Sequence, residues 1–207
     1  PTLFIKMSPT LNNIYWLLRH GRSRANESQT IVSSLENGVK EEWCLSDIGI
    51  GQAEAAGKKL FQQLQQIDMK DIQIYVSPFS RTRQTAAIVA KEISFPVENI
   101  KYAVQLRERF FGTSYELQPY VDAYNYIWSF DEKDSNFKPG VDGESVSDVS
   151  KRILSLIEVI EKDHKDMNIL LVSHGDVLSI TQATFQLFNM GEHHRLGFET
   201  AELRRMN

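Results

Sequence analysis

Ile14-Tyr15-Trp16-Leu17-Leu18-Arg19-His20-Gly21 decides the fold of this chain, and Ile169-Leu170-Leu171-Val172-Ser173-His174-Gly175 repeats its shape near the other end. A continuous apolar run reads as a strand covered on both faces, as in a parallel sheet. A polar residue followed by glycine at its end is how such a sheet presents functional groups at its carboxyl edge, where ligands bind. The competing reading, two core histidines that happen to precede turns, is weakened by the common shape of the two runs. Arg19 weakens it further, because burial alone disfavours a cation. Two histidines at two strand ends therefore point to one shared site.

Outward from these strands, apolar runs alternate with segments of helical period. This predicts a three-layer α/β/α sandwich with a largely parallel central sheet. The first strand is Ile14 to Leu18. Ser46 reads as an N-cap, and Ile48, Ala53, Ala56, Leu60, Leu64 and Ile67 form one face of a helix from about Asp47 to Gln66. Ile72 to Val76 is a second strand. Arg81 to Glu92 is a second helix with Ala86, Ile88, Val89 and Ile93 inward, and Lys101 to Leu106 a third strand. Val149, Ile153, Leu156, Ile157 and Ile160 mark a later helix, and a last one runs from about Val177 to Phe188. Between Tyr115 and Phe137 lies a polar, aromatic stretch containing Pro119, Tyr120, Tyr124, Tyr126, Trp128 and Phe130. It reads as an inserted helical segment, a short lid over about residues 113–140. The expectation is one domain over residues 1–207, with no internal repeat or low-complexity segment.

Composition sets limits on partners. A formal net charge of −4 and a pI near 5.8 disfavour nucleic acid and anionic membranes, which select basic surfaces. A local cationic pocket remains compatible with that charge. The single cysteine, Cys44, excludes an intramolecular disulfide, and no apolar stretch approaches the length of a bilayer span. Phe4-Ile5-Lys6-Met7 is too short and too weakly patterned for a signal peptide, so the expected location is cytoplasmic. The oligomeric state is open.

Several motif-like stretches fail on inspection. Gly49-Ile50-Gly51 begins like a dinucleotide fingerprint, but Glu54 stands where the third glycine belongs and no strand precedes it. Gly57-Lys58 lacks the upstream glycine of a phosphate-cradling loop. Cys44 has Ile50 where a cysteine phosphatase needs arginine. The adjacent His193 and His194 point to different sides of any regular element and have no supporting cluster, so they read as surface or partly buried and no metal is expected. Asn26-Glu27-Ser28 fits a glycosylation sequon that a cytoplasmic chain would not use, so Asn26 needs another explanation.

If the strand ends share one edge, Arg19-His20, the loop through Ser23 and Asn26, Arg81, Glu108 and His174 converge. That set is rich in cations and carries one carboxylate. Cleaving a phosphate ester requires neutralising the nonbridging oxygens, an in-line nucleophile, and a proton for the departing alkoxide. Arginine binds phosphate through a planar fork and stays charged. A cluster of cations opposes imidazole protonation, keeping His20 neutral and nucleophilic, and it stabilises the phosphohistidine that forms. Glu108 among phosphoryl oxygens would favour its acid form and donate to the leaving oxygen.

Six segments in order then carry a family resemblance: Leu18-Arg19-His20-Gly21-Arg22-Ser23-Arg24-Ala25-Asn26; Leu45-Ser46-Asp47-Ile48-Gly49 leading to Gln52-Ala53; Ser77-Pro78-Phe79-Ser80-Arg81-Thr82-Arg83-Gln84-Thr85-Ala86; Leu106-Arg107-Glu108-Arg109-Phe110-Phe111-Gly112; Asp142-Gly143-Glu144-Ser145; and Val172-Ser173-His174-Gly175. Through them most of the chain resembles the histidine phosphatase superfamily, in its phosphoglycerate mutase-like branch. The resemblance implies that His20 is the phosphorylated nucleophile. It assigns phosphoryl binding to Arg19, Arg81 and His174, with Gly175 beside them, and proton donation to Glu108. Asn26 matches the family's asparagine beside the phosphate and Ser23 its small hydroxyl residue. Neither metal nor cofactor is implied, and the partner is a small-molecule phosphate ester.

Arg22 departs from the acidic or amide residue of many members, and with Arg24 it either widens the positive field or forms a solvated turn. Arg107 and Arg109 would lower the pKa of Glu108 if they paired with it, weakening it as an acid. The family's mutases are longer, with a basic insertion. Here Tyr115 to Gly140 is short and acidic, with Glu116, Asp122, Asp131, Glu132 and Asp134 against Lys133 and Lys138, which favours hydrolysis. Its aromatics serve either packing or substrate shaping. Phosphoglycerate mutase-type transfer is the alternative activity, and a catalytically silent phospho-ligand binding domain the alternative class.

Overall fold

The structure is a computed structural model, and it describes residues 11–67 and 71–207. Phe4 to Met7 lies outside the described residues. Five strands form one sheet: β1 (Ile14–Arg19), β2 (Ile72–Val76), β3 (Lys101–Tyr102), β4 (Asn168–Ser173) and β5 (Leu203–Arg205), in the order β3-β2-β4-β1-β5. β1, β2 and β3 join through β4 and one another in parallel, and only β5 runs antiparallel, against β1. β4 is buried at every position, as its unbroken apolar run requires.

Side chains alternate across this sheet and build two cores. On one face Tyr15, Leu17, Tyr75, Ile169 and Leu171 pack against two helices, α4 (Val146–Asp163) and α5 (Gly175–Phe185). On the other face Trp16, Leu18, Ile74, Val76, Leu170 and Val172 pack against α1 (Asp47–Leu64) and α2 (Ser80–Glu92). These are the three expected layers. A smaller cluster of Ile31, Phe111 and Ile127 lies beside them, with Ile127 on α3 (Val121–Asp131) in the segment between Gly112 and Gly140.

Several local expectations are corrected. Ile48 is 57% exposed rather than part of the inner face of α1, because it sits in the first turn, where the helix ends over the loop after β1 instead of over the sheet. Ile67 lies beyond the helix end but, like Ile93, packs partly buried against the core on that face, whereas Ile88 is partly buried outside it. The third strand stops at Tyr102, and Val104 to Leu106 is a 3-10 turn that carries the chain away from the sheet edge toward the site. α5 begins two residues earlier than expected, directly after His174, and ends at Phe185. β5 was absent from the sequence reading: Leu203-Arg204-Arg205 has no apolar run, and pairing with Trp16 to Leu18 defines it.

The glycines of the rejected fingerprint differ sharply. A Cβ on Gly49 would lie 2.0 Å from the carbonyl oxygen of Arg22, and one on Gly21 would lie 2.4 Å from that of Gly49, so the loop after β1 and the start of α1 touch backbone to backbone. Around Gly51 there is open space. We expect Gly49→Ala to destabilise the fold by at least about 2 kcal/mol. Gly51→Ala, at an exposed helical position, should stabilise it by about 0.5–1 kcal/mol. Urea denaturation of the two variants beside wild type checks both signs.

Candidate active site

The site lies at the carboxyl edge where β1 and β4 pair in register, Arg19 opposite Ser173. His20 donates its backbone N–H to the Ser173 carbonyl at 3.0 Å, and the Ser77 N–H does the same to Val172 at 3.0 Å. The strand ends thus deliver His20, His174 and Ser77 side by side, and the two imidazole centroids are 5.3 Å apart.

Both rings have an assigned tautomer. Nδ1 of His20 is 2.7 Å from the Gly21 carbonyl, which only accepts, so Nδ1 carries the proton. Nε2 is left with its lone pair, which accepts from Nε of Arg81 at 3.2 Å. Nε2 of His174 is 2.8 Å from Oγ of Ser77, and that hydroxyl already accepts the Phe79 N–H. With no other acceptor for it among the described residues, the hydroxyl proton is assigned to Nε2, which leaves Nδ1–H of His174 as a donor. That Nδ1 has no hydrogen-bond partner and stands 3.7 Å from Oε2 of Glu108. Burial, reinforced by the guanidinium groups of Arg81 and Arg19, holds both imidazoles well below the ordinary histidine pKa.

Arg81 is buried in the first turn of α2, with one amino group donating to the Val32 carbonyl at 2.9 Å and Nη1 unpartnered. Arg19 donates to the Phe198 carbonyl and keeps a buried, unpartnered Nε. Gly175 makes room for it, since a Cβ there would lie 3.3 Å from the guanidinium. Arg19, Arg81 and His174 thus each hold a buried nitrogen with no protein partner, next to the N-terminus of α5. Such a set of donors suits an anion.

The sequence motifs position these groups through backbone contacts. Ser46 caps α1 and also binds the Arg22 carbonyl through both its N–H and its hydroxyl, while Gln52 accepts the Arg22 N–H at 2.9 Å. Gln84 accepts the Leu45 N–H at 2.9 Å and Thr85 the Gly21 N–H at 3.1 Å. Ser23 and Asn26 form a reciprocal capping box, which commits Oδ1 of Asn26 and explains that residue without glycosylation. Arg22 and Arg24 are exposed, with Arg22 near Glu27, so the basic turn is solvated rather than part of the site.

Glu108 is free of its arginine neighbours. Arg107 pairs with Glu144, which also binds Arg152 and the Phe110 N–H. Arg109 is fully buried and grips Asp131 at 2.7 and 2.8 Å and Asp176 at 3.2 Å. Burial pushes the Glu108 carboxyl up to about 7, against the pull of Arg81 and a hydrogen bond of 3.0 Å from the Arg109 N–H. A carboxyl half protonated at neutral pH can donate and accept a proton.

One cavity, with about 900 Å³ of space counting what is continuous with solvent, is lined by Arg19, His20, Ser23, Asn26, Arg81, Glu108 and Gly175. His174 lies behind this lining, fully buried, with Phe79 edge-on at 4.9 Å. The sequence reading did not single out Asp176, Ser179 or Phe198, which line the same cavity, nor Ser77, which orients His174. The position of Asp176 just after His174-Gly175 was the available signal. His193 is corrected: it is completely buried, because Nε2 lies 2.9 Å from Oδ1 of Asp176, which also accepts from Trp128. His194 lines the cavity mouth. Among the described residues no group of three or more His, Cys, Asp or Glu is placed to hold a metal ion, and no helix is long and apolar enough to cross a membrane.

Residues 15–207 match the family model of the histidine phosphatase superfamily, branch 1. A metal-independent phosphoserine phosphatase of Arabidopsis thaliana is 27% identical over 179 residues, covering 81% of this chain and 68% of that protein. A Danio rerio protein named probable fructose-2,6-bisphosphatase TIGAR A is 30% identical over 174 residues, covering 81% of this chain and 61% of its own length. The solved structure of a mycobacterial glucosyl-3-phosphoglycerate phosphatase superposes with a TM-score of 0.74 at 20% identity, covering 93% of this chain and 90% of that one.

Two outcomes follow from the buried charges. Arg109→Ala leaves Asp131 and Asp176 without their shared cation, and urea denaturation should show a loss of roughly 3–5 kcal/mol. Glu108 has a folded pKa raised from 4.5 to about 7, so its ionised form destabilises the fold. That cost is absent when both states are protonated, grows as pH rises between these values, and is complete above the folded pKa. Glu108→Gln should therefore be more stable than wild type at pH 8, by up to about 3 kcal/mol, with the difference closing near pH 4.

Proposed function

The chain belongs to the histidine phosphatase superfamily, and from that membership we propose that it is a metal-independent phosphomonoesterase that hydrolyses a small phosphorylated metabolite through phospho-His20. The observation that carries this reading is the pinned tautomer of His20. With Nδ1–H held by the Gly21 carbonyl, the lone pair of Nε2 faces the guanidinium of Arg81.

In the first step Nε2 of His20 attacks phosphorus and the bond to the ester oxygen breaks. The nonbridging oxygens take the buried donors of Arg19, Arg81 and His174. The Arg81 N–H that caps Nε2 in the free protein shifts onto a phosphoryl oxygen as the P–N bond forms. Glu108 gives its proton to the leaving oxygen. Its carboxylate then takes a proton from water, the water oxygen attacks phosphorus, and the P–N bond breaks to return neutral His20 and inorganic phosphate. Ser23 and Asn26 form the wall beside the phosphoryl group.

We read residues 113–140 as a cap on a single domain. The Leu117 N–H donates to the Ile31 carbonyl, the Ile31 N–H donates to the Gln118 carbonyl, and Glu116 holds Ser33, Ser34 and Asn37, so this segment is tied to the loop that supplies the Val32 carbonyl to Arg81. Among the described residues, the lining offers a second phosphate no further arginine or lysine, which supports hydrolysis over mutase transfer. A cytoplasmic location and a small-molecule partner, rather than nucleic acid or membrane, belong to the same reading and rest on the single cysteine and the acidic net charge.

Phosphate release from p-nitrophenyl phosphate and alkyl phosphates in EDTA tests it. Wild type should be active, and His20→Ala should lose more than about a thousandfold while remaining folded. An unchanged rate in that variant would remove the nucleophile assignment. Glu108→Gln should slow alkyl esters by about 10²- to 10⁴-fold and the p-nitrophenyl ester far less, because that leaving group needs little protonation. For alkyl esters kcat/KM should fall as pH rises through about 7, the pKa of Glu108, and the variant should lack that limb.

A further inference from the structure

The cavity has two unlike halves. Around His20 it carries buried donors. Beyond those donors its wall is a stack of rings, which at Tyr124 comes close to Arg81 and Glu108. Tyr120, the residue just before α3, and Tyr124 and Trp128 on it follow at four-residue spacing, with centroids 5.3 and 5.4 Å apart and ring planes within 8° and 23°. His194 continues the stack on Trp128 at 5.3 Å and 9°. Phe111, Phe198, Val32 and Ala25 complete the apolar lining. The stack is braced: Trp128 donates to Asp176 at 3.0 Å, and Tyr124 also packs on Phe111 at 5.1 Å.

The charges of this half are just as distinctive. Among the described residues that line the cavity, Arg19 and Arg81 are the only arginines or lysines, and both stand at His20. Burial keeps His194 below the ordinary histidine range, so it adds no cation at neutral pH. Asp176 contributes a carboxylate that His193 and Arg109 keep ionised. Nearby cations are engaged elsewhere: Arg195 with Glu192 and Glu132, and Arg109 with its two aspartates. A second anion on the substrate would be desolvated against rings and a carboxylate, with neutral polar groups such as Thr30 and Ser179 but no further arginine or lysine among the described lining residues to pair with, which is a basis for rejection.

We propose, resting on the phosphatase reading above, that the substrate is the phosphomonoester of an uncharged alcohol bearing a planar ring, and that the ring lies against the Tyr124–Trp128 stack. A flat, polarisable face at the end of a short linker matches both the wall and its lack of cations. Monoesters that carry a carboxylate or a second phosphate are poor substrates.

The experiment compares kcat/KM for 2-phenylethyl phosphate, n-propyl phosphate, 3-phosphoglycerate and phosphoserine, all with alkyl leaving groups, and uses p-nitrophenyl phosphate as the control for phosphatase chemistry. The phenylethyl ester should exceed the propyl ester by about tenfold, and the two carboxylate-bearing esters should fall below it by about a hundredfold or more. Tyr124→Leu should raise KM for the phenylethyl ester about tenfold more than for the propyl ester. Thr30→Arg, which places a cation on a partly exposed lining position, should raise kcat/KM for 3-phosphoglycerate. Hydrolysis of p-nitrophenyl phosphate together with equal or faster turnover of 3-phosphoglycerate or phosphoserine would overturn the substrate class and leave the phosphatase reading standing. No release from any ester, the p-nitrophenyl ester included, would overturn both.

Discussion

The in-register parallel pairing of β1 with β4 is the constraint on which the rest of the molecule depends. It sets Arg19 opposite Ser173, and one hydrogen bond beyond the last paired residue it fixes His20 against the Ser173 carbonyl. A shift of one residue would turn the apolar side chains of β1 to the opposite face, exchanging the partners of Tyr15 and Leu17 with those of Trp16 and Leu18. Burial of both faces therefore specifies the register, and the register specifies that the two histidines are neighbours. Hydrophobic packing positions the polar site.

The site concentrates charge in a buried place, and its stability depends on where each charge is compensated. Arg107 and Arg109 flank Glu108 in sequence and Arg152 is brought beside it by the fold, yet none of the three guanidinium groups pairs with the Glu108 carboxylate. Glu144 takes Arg107 and Arg152, and Asp131 with Asp176 takes Arg109. Those pairings tie the loop that carries Glu108 to α3, α4 and the start of α5. They also leave burial to govern the Glu108 carboxyl and raise it to about 7. The same desolvation that costs stability there prepares a proton donor for neutral pH.

Asp176 connects this network to the cap. It receives Arg109, His193 and the indole of Trp128, so the ring stack on α3 is held by the same carboxylate that helps bury Arg109. The shape of the leaving-group half of the cavity and the setting of Glu108 are for that reason parts of one polar cluster, although α3 is far in the chain from α5 and the loop around His193.

Much was legible before any coordinates. Unbroken apolar runs determine buried parallel strands, since only a sheet covered on both faces keeps them from water. The period of Val149 to Ile160 determines α4, and Ser46 determines where α1 begins because its hydroxyl meets an orphan N–H group. The strand-end histidines and the ordered motifs pointed to the set of residues that the structure gathers at one cavity. Tertiary structure alone decided which arginine meets which carboxylate, that His193 is buried, that Leu203 to Arg205 is a strand, and that the aromatics of α3 face the cavity as a stack. A local sequence records propensity and periodicity. Partner choice, desolvation and the pKa of Glu108 depend on segments distant in sequence, and their energies exist only once the sheet has brought them together.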